Sequence, residues 1–125
     1  MKILIVDDNE GIRTLLSDIF RRAGFEARTA ANAQEAIGLC QGECFDVLLS
    51  DVLMPGTDGH ELARRVAVLC PPTRVILMSA YDPGCNHCPY APRCPLIRKP
   101  FSARQIVGCV SGILASPPPG FGGPL

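Results

Sequence analysis

Two periodicities alternate along the chain. Lys2 to Val6 is a continuous apolar run rich in β-branched residues and bounded by charge. Such a run reads as a strand buried on both faces, the kind found in parallel sheets. From Glu10 to Ala23 the apolar residues Ile12, Leu15, Leu16, Ile19 and Phe20 recur at three- and four-residue spacing, which predicts an amphipathic helix ended by Gly24. Asn9 or Asp8 can cap it. Phe25–Ala30 alternates weakly and suits a strand near a sheet edge. Asn32 caps a predicted helix over Ala33–Cys40. The run Phe45-Asp46-Val47-Leu48-Leu49-Ser50-Asp51 is the third strand. A helix after Asp58-Gly59 presents Leu62, Ala63, Val66 and Leu69, and Pro71-Pro72 prevents its continuation. Arg74–Ser79 and the short Leu96–Arg98 are further strands, and a last helix over Ala103–Leu114 takes Ser102 as its cap.

Strand and helix thus take turns from end to end. This alternation predicts an α/β fold, a doubly wound parallel sheet covered on both faces. Ligands of such sheets sit beyond the carboxyl ends of the strands. Asp7, Asp8, Asp51, Ser79 and Lys99 stand at those ends. They are far apart in sequence, yet the fold gathers them on one rim. Asp51 organises the set, because a strand that ends in a carboxylate and opens into Met54-Pro55-Gly56-Thr57-Asp58-Gly59 is an unusual use of a charge. Three carboxylates on one rim call for a hard cation, and oxygen ligands in an open arrangement suit Mg²⁺ completed by a phosphate. Asp51 is then a carboxylate nucleophile of the kind that forms an aspartyl phosphate. Lys99 supplies charge to phosphoryl oxygens and the Ser79 hydroxyl a hydrogen bond.

Composition narrows the rest. The chain has 125 residues, with 12 Lys+Arg against 12 Asp+Glu. A formal net charge of zero argues against a direct nucleic-acid surface and against steering to an anionic membrane. No apolar run approaches the roughly 20 residues of a membrane span. The opening apolar run is too short for a signal peptide, so the expected location is cytoplasmic. Residues 1–115 are expected to form one domain, and the Pro/Gly-rich segment 116–125 a linker or tail.

The rim residues carry a family resemblance. The acidic pair Asp7-Asp8, Asp51, Met54–Gly59, Ser79-Ala80 and Lys99-Pro100-Phe101 follow one another as in the receiver domain of a two-component response regulator, of the CheY-like kind. The softer Ala30-x-x-x-Glu35-Ala36-Ile37 segment fits as well. The resemblance implies a five-stranded, flavodoxin-like strand order of 2-1-3-4-5 and a phosphorylation switch. By that analogy Asp51 accepts a phosphoryl group from a sensor histidine kinase or a phosphotransfer protein. Asp8, Asp51 and the Leu53 carbonyl hold Mg²⁺ directly, and Asp7 holds it through water. Ser79 and Lys99 contact the phosphate. The domain would not be an enzyme beyond slow self-dephosphorylation. A phosphohydrolase would want a second carboxylate two residues after Asp51, where Leu53 stands. Output would pass to a downstream protein target or to an output domain absent from this chain.

Two departures qualify the resemblance. Prolines 83, 89, 92 and 95 predict that the helix between the fourth and fifth strands is missing or much shortened. The same stretch carries Cys85-x2-Cys88-x5-Cys94, with His60 or His87 as a fourth ligand. Free thiols, a redox disulfide, and a bound Zn²⁺ or iron–sulfur cluster are the competing readings. The alternative function is accordingly a metal- or redox-sensing module on a receiver scaffold. Among the other cysteines, 40, 70 and 109 read as packing residues on helices, and Cys44 lies in a loop without an assigned role. With seven cysteines and a reducing compartment expected, disulfides are a poor first explanation. The second departure is Leu96, where the family carries an aromatic ring that swings with the switch hydroxyl. Leucine cannot repeat that rotation, so the output face is expected to be rebuilt.

Overall fold

A computed structural model describes residues 1–54, 56–79 and 96–115. Five strands, β1 (Lys2–Val6), β2 (Glu26–Ala30), β3 (Val47–Asp51), β4 (Arg74–Ser79) and β5 (Leu96–Arg98), form one sheet in the order β2-β1-β3-β4-β5. All neighbours are parallel. Helices α1 (Glu10–Arg22), α2 (Ala33–Gly42), α3 (Gly59–Leu69) and α4 (Ala103–Ala115) cover its two faces. This is the flavodoxin-like, CheY-type order expected from the chain.

The apolar runs explain the centre of the sheet. Ile3 to Val6, Val47 to Leu49, and Ile76 to Met78 have no exposed surface. Successive strand residues point to opposite faces. Leu4, Val6, Leu48, Val75 and Leu77 therefore join the layer under α2 and α3. Ile3, Ile5, Val47, Leu49, Ile76 and Met78 join the layer under α1 and α4. β2 is the weaker edge strand its composition predicts, with only Ala27 and Ala30 buried.

Each of the described helices begins with a side-chain cap. Asn9 Oδ1 accepts from the Ile12 N–H at 3.0 Å, Asn32 Oδ1 from Glu35 at 2.9 Å and Asp58 Oδ1 from Glu61 at 2.9 Å. Ser102 Oγ accepts from the Gln105 N–H at 3.0 Å, while Gln105 Oε1 takes the Ser102 N–H at 2.7 Å. This reciprocal box satisfies two donors that a helix start leaves unpaired.

The structure corrects several expectations. Leu15 is 56% exposed although it falls on the apolar stripe of α1, and Leu69 is 40% exposed at the end of α3. An apolar stripe is wider than the surface it covers, so its margins face water. Cys109 is exposed on α4 rather than packed, whereas Cys40 is buried as expected. Cys70 is buried in the core layer as expected, although it stands just past the last turn of the helix. It caps the end of α3 and is disulfide-bonded to Cys44, with Cα atoms 5.8 Å apart. Cys44 has a role after all, and the low expectation for disulfides fails at this pair. The expectation of a missing helix, and the Cys85, Cys88, Cys94 and His87 ligands, lie outside the described residues. So does the side chain of Leu96, whose backbone pairs with Leu77 in β5. No helix among the described residues is long and apolar enough to cross a membrane.

Candidate functional site

The direction in which the chain adds strands reverses at β1. The chain steps from β1 outward to β2, then returns to lay β3 on the other side of β1. The crevice at the carboxyl ends of β1 and β3 is where such sheets bind ligands. Asp7 and Asp8 follow β1 directly, and Asp51 is the last residue of β3. Carboxylate oxygens of Asp7, Asp8 and Asp51 all lie within 4.8 Å of one another.

The three acids differ in their surroundings. Asp8 is exposed. Asp7 is 1% exposed, and each of its polar atoms is engaged. Its Oδ1 accepts from the Asn9 N–H at 2.9 Å, its Oδ2 lies 3.5 Å from Lys99 Nζ, and its carbonyl oxygen accepts from Arg13 Nη1 at 2.8 Å. Asp51 is 9% exposed, and its Oδ1 lies 3.6 Å from Lys99 Nζ. Burial pushes the Asp51 carboxyl above the usual aspartate range; Lys99 opposes this, the Asp7 charge adds to it, and the Leu53 N–H also opposes it. Lys99 thus spans the two buried acids from the end of β5. Its own backbone N–H donates to the Ser79 carbonyl at 2.9 Å, and the Lys99–Pro100 peptide is cis.

The β3–α3 loop is shaped by two glycines. Gly56 has φ +81°, a left-handed conformation that side chains other than glycine disfavour. Gly59 starts α3 against the end of β3, donating its N–H to the Val52 carbonyl at 2.9 Å. A Cβ there would stand 2.9 Å from Val52 Cα and closer still to the Asp51 carbonyl oxygen. The first turn of α3 therefore rests directly on the backbone of Asp51.

The structure brings four of the expected rim residues together. Asp7, Asp8 and Asp51 cluster, and Lys99 joins them. Ser79 is buried at the end of β4, one step beyond Met78, which pairs with Asp51 in the register. The Leu53 side chain is 67% exposed while its backbone faces Asp51. His60 lies in the first turn of α3, and among the described residues the acidic trio is the grouping that could hold a metal ion. Its all-oxygen donors fit a hard divalent cation such as Mg²⁺. They do not fit zinc in a thiolate site or an iron–sulfur cluster. Three features escaped the reading of the sequence: the Arg13 grip on the Asp7 carbonyl, the Gly59 contact, and the double ion pair of Lys99. The spacing of Arg13 six residues after Asp7 was the available signal for the first.

Beside the rim lies a shallow apolar hollow lined by Ile12, Leu15, Leu16, Lys99, Pro100 and Phe101. The exposed Leu15 belongs to it, so the residue that left the core has a place on this surface.

Sheet order and acidic rim together define a CheY-like α/β domain. The chain matches the model of the response regulator receiver domain over residues 3–111, and it belongs to that family, the receiver modules of two-component signalling. Among curated relatives it is 44% identical over 80 residues to sporulation initiation phosphotransferase F of Bacillus subtilis (strain 168), covering 64% of either chain. It is 36% identical over 115 residues to the transcriptional regulatory protein ResD of the same organism, covering 90% of this chain and 48% of ResD. It is 34% identical over 113 residues to the response regulator protein FleR of Pseudomonas aeruginosa, covering 88% of this chain and 24% of FleR. The chain thus spans under two thirds of each of these relatives. Among solved structures, the chemotaxis protein CheY4 of Vibrio cholerae superposes with a TM-score of 0.78 at 27% identity, over 90% of this chain and 97% of CheY4.

Proposed function

We propose that Asp51 accepts a phosphoryl group from a sensor histidine kinase or a phosphotransfer protein. The observation that carries this reading is the Asp7, Asp8 and Asp51 oxygens gathered within 4.8 Å, with Lys99 spanning two of them. Asp51 is the nucleophile: a carboxylate oxygen forms the new bond to phosphorus as the bond to the donor breaks in line. Lys99 is placed to exchange its contact with Asp51 for one with the transferred phosphoryl oxygens. The Ser79 hydroxyl, on the neighbouring strand, is the second phosphoryl contact. Asp8, Asp51 and the Leu53 carbonyl would hold Mg²⁺, with Asp7 acting through water. The cation, when bound, neutralises the carboxylates and the phosphoryl oxygens.

The same reading assigns a role to the neighbouring hollow. Leu15, Pro100 and Phe101 form an apolar landing beside the acidic rim, which suits the helix of a phosphodonor protein. Residues 1–115 constitute the phosphoacceptor unit, with 116–125 as a tail or linker, and output passes to a protein target or an output domain. The test is incubation of the full chain with acetyl phosphate and Mg²⁺. The expected result is a labile mass gain of one phosphoryl group that is lost in Asp51→Asn and without divalent cation. A gain that persists in Asp51→Asn would refute the assignment.

A further inference from the structure

A second chemistry sits at the opposite end of the β3–α3 unit. The Cys44–Cys70 bond joins the loop before β3 to the end of α3, across a sequence separation of 26. The loop it closes contains the whole of β3, Asp51, and the whole of α3. The two half-cystines differ in access: Cys44 is exposed and Cys70 is 1% exposed. Cys70 Sγ lies 3.6 Å from the Cys40 carbonyl oxygen, an acceptor positioned for a thiol at Cys70.

The junction does not depend on the sulfur bridge alone. Thr73 Oγ1 donates to the Phe45 carbonyl at 2.6 Å, and the Arg74 N–H donates to the Asp46 carbonyl at 3.0 Å. The Thr73 N–H donates to the Cys70 carbonyl at 2.9 Å. Opening the bridge therefore leaves the two segments side by side, and the sulfurs close enough to rejoin.

We propose that Cys44–Cys70 is a thiol–disulfide exchange site, opened by small dithiols and closed by small disulfides, with entry at Cys44. An external thiolate bonds to the Cys44 sulfur and the Cys44–Cys70 bond breaks. Cys70 leaves as a thiolate, takes a proton from solvent and donates it in a hydrogen bond to the Cys40 carbonyl. The reductant's second thiol, as a thiolate, attacks the mixed disulfide and releases Cys44. One dithiol is oxidised to its cyclic disulfide, and two protein thiols form, a transfer of two electrons and two protons. In the reverse direction the Cys44 thiolate attacks a small disulfide and expels one thiol. The Cys70 thiolate then displaces the second. Because the closed loop holds α3, whose first turn rests on Asp51, opening it loosens the helix without unfolding the sheet.

The experiment uses the full chain and needs neither phosphate nor cation, so it stands apart from the phosphoacceptor reading. Protein purified without reductant is alkylated and mapped by mass spectrometry. Cys44 and Cys70 are expected unlabelled and in one linked peptide. Dithiothreitol under native conditions should expose both to label, and glutathione disulfide should restore the bond. Amide exchange in α3 should rise on reduction by on the order of tenfold, while α1 stays unchanged. In the double variant C44S/C70S α3 should exchange fast and ignore redox conditions. With glutathione disulfide, Cys70→Ser should collect glutathione at Cys44, and Cys44→Ser none at Cys70. Free thiols at both positions in the unreduced protein would overturn the proposal. So would a bond that yields only in denaturant, the same redox response in the double variant, or glutathione collected at Cys70 instead.

Discussion

Replacing Gly59 with alanine tests the contact on which the geometry of Asp51 depends. The new Cβ would stand 2.9 Å from Val52 Cα, whereas ordinary contact begins at 3.4 Å. The other close neighbour is the Asp51 carbonyl oxygen, so relief must come from backbone rather than from a side chain that can turn away. The Gly59 N–H also donates to the Val52 carbonyl, which ties the helix start to the strand end it would have to leave. Overpacking of this sort costs about 1–3 kcal/mol, which outweighs the gain of up to about 1 kcal/mol from replacing a helical glycine. At about 4–6 °C per kcal/mol for a chain of this size, the net loss of roughly 1–2 kcal/mol should lower Tm by about 4–12 °C. The displaced carboxylate should also be phosphorylated on the order of tenfold to a hundredfold more slowly by acetyl phosphate, given the sensitivity of reaction rates to sub-ångström placement. Gly38→Ala is the control, because nothing lies within 4 Å of its would-be Cβ inside α2. That variant should gain about 0.5–1 kcal/mol. Thermal denaturation followed by circular dichroism reads both changes. Equal Tm values and equal labelling rates for Gly59→Ala and the parent would refute the contact argument.

Three further outcomes follow from the rim. The folded-state pKa of Asp51 is raised above its unfolded value, so stability from this group is present below the ordinary aspartate value of 3.8 and is lost as pH rises through the folded value. Asp51→Asn should therefore be more stable than the parent at pH 7, with the gain shrinking to none in acid; a gain that grows in acid would contradict the burial argument. Lys99→Met removes the charge shared by Asp7 and Asp51, and should cost about 1–3 kcal/mol without divalent cation. Mg²⁺ should then raise Tm more in this variant than in the parent, as followed by a cation titration. Leu15→Glu should slow phosphoryl transfer from a phosphodonor protein while leaving labelling by acetyl phosphate unchanged, and equal slowing of both would argue against the landing surface.

The strands and the rim were legible because each rests on a local signal. Val47 to Leu49 belongs to a short apolar run that reads as a buried strand, and a carboxylate at its end has to be stabilised by something. The strand order that the family resemblance implies then places Asp7 beside Asp51. What stayed hidden depends on distances that no spacing encodes. Cys44 and Cys70 are 26 residues apart with an entire strand and helix between them, and nothing in either neighbourhood marks the pair among seven cysteines. Leu15 matched the helical period as well as Leu16 did, because periodicity gives the direction of a face but not where the covering layer stops. Gly59 was readable as part of a helix start, but its contact with Asp51 appears only when α3 is laid against β3.

The four helices among the described residues begin at the edge of the sheet where Asp51 lies, because each follows a strand of the same direction. Their capped starts at Asn9, Asn32, Asp58 and Ser102 each carry about half a positive elementary charge from aligned peptide dipoles. The winding of the chain thus makes the molecule electrically polar along its strands. The acidic pole of side chains is laid over a positive pole of backbone, and Arg21 and Arg22 close α1 at the other end. An incoming dianion therefore meets a field that belongs to the fold itself, and no single side-chain replacement can remove it.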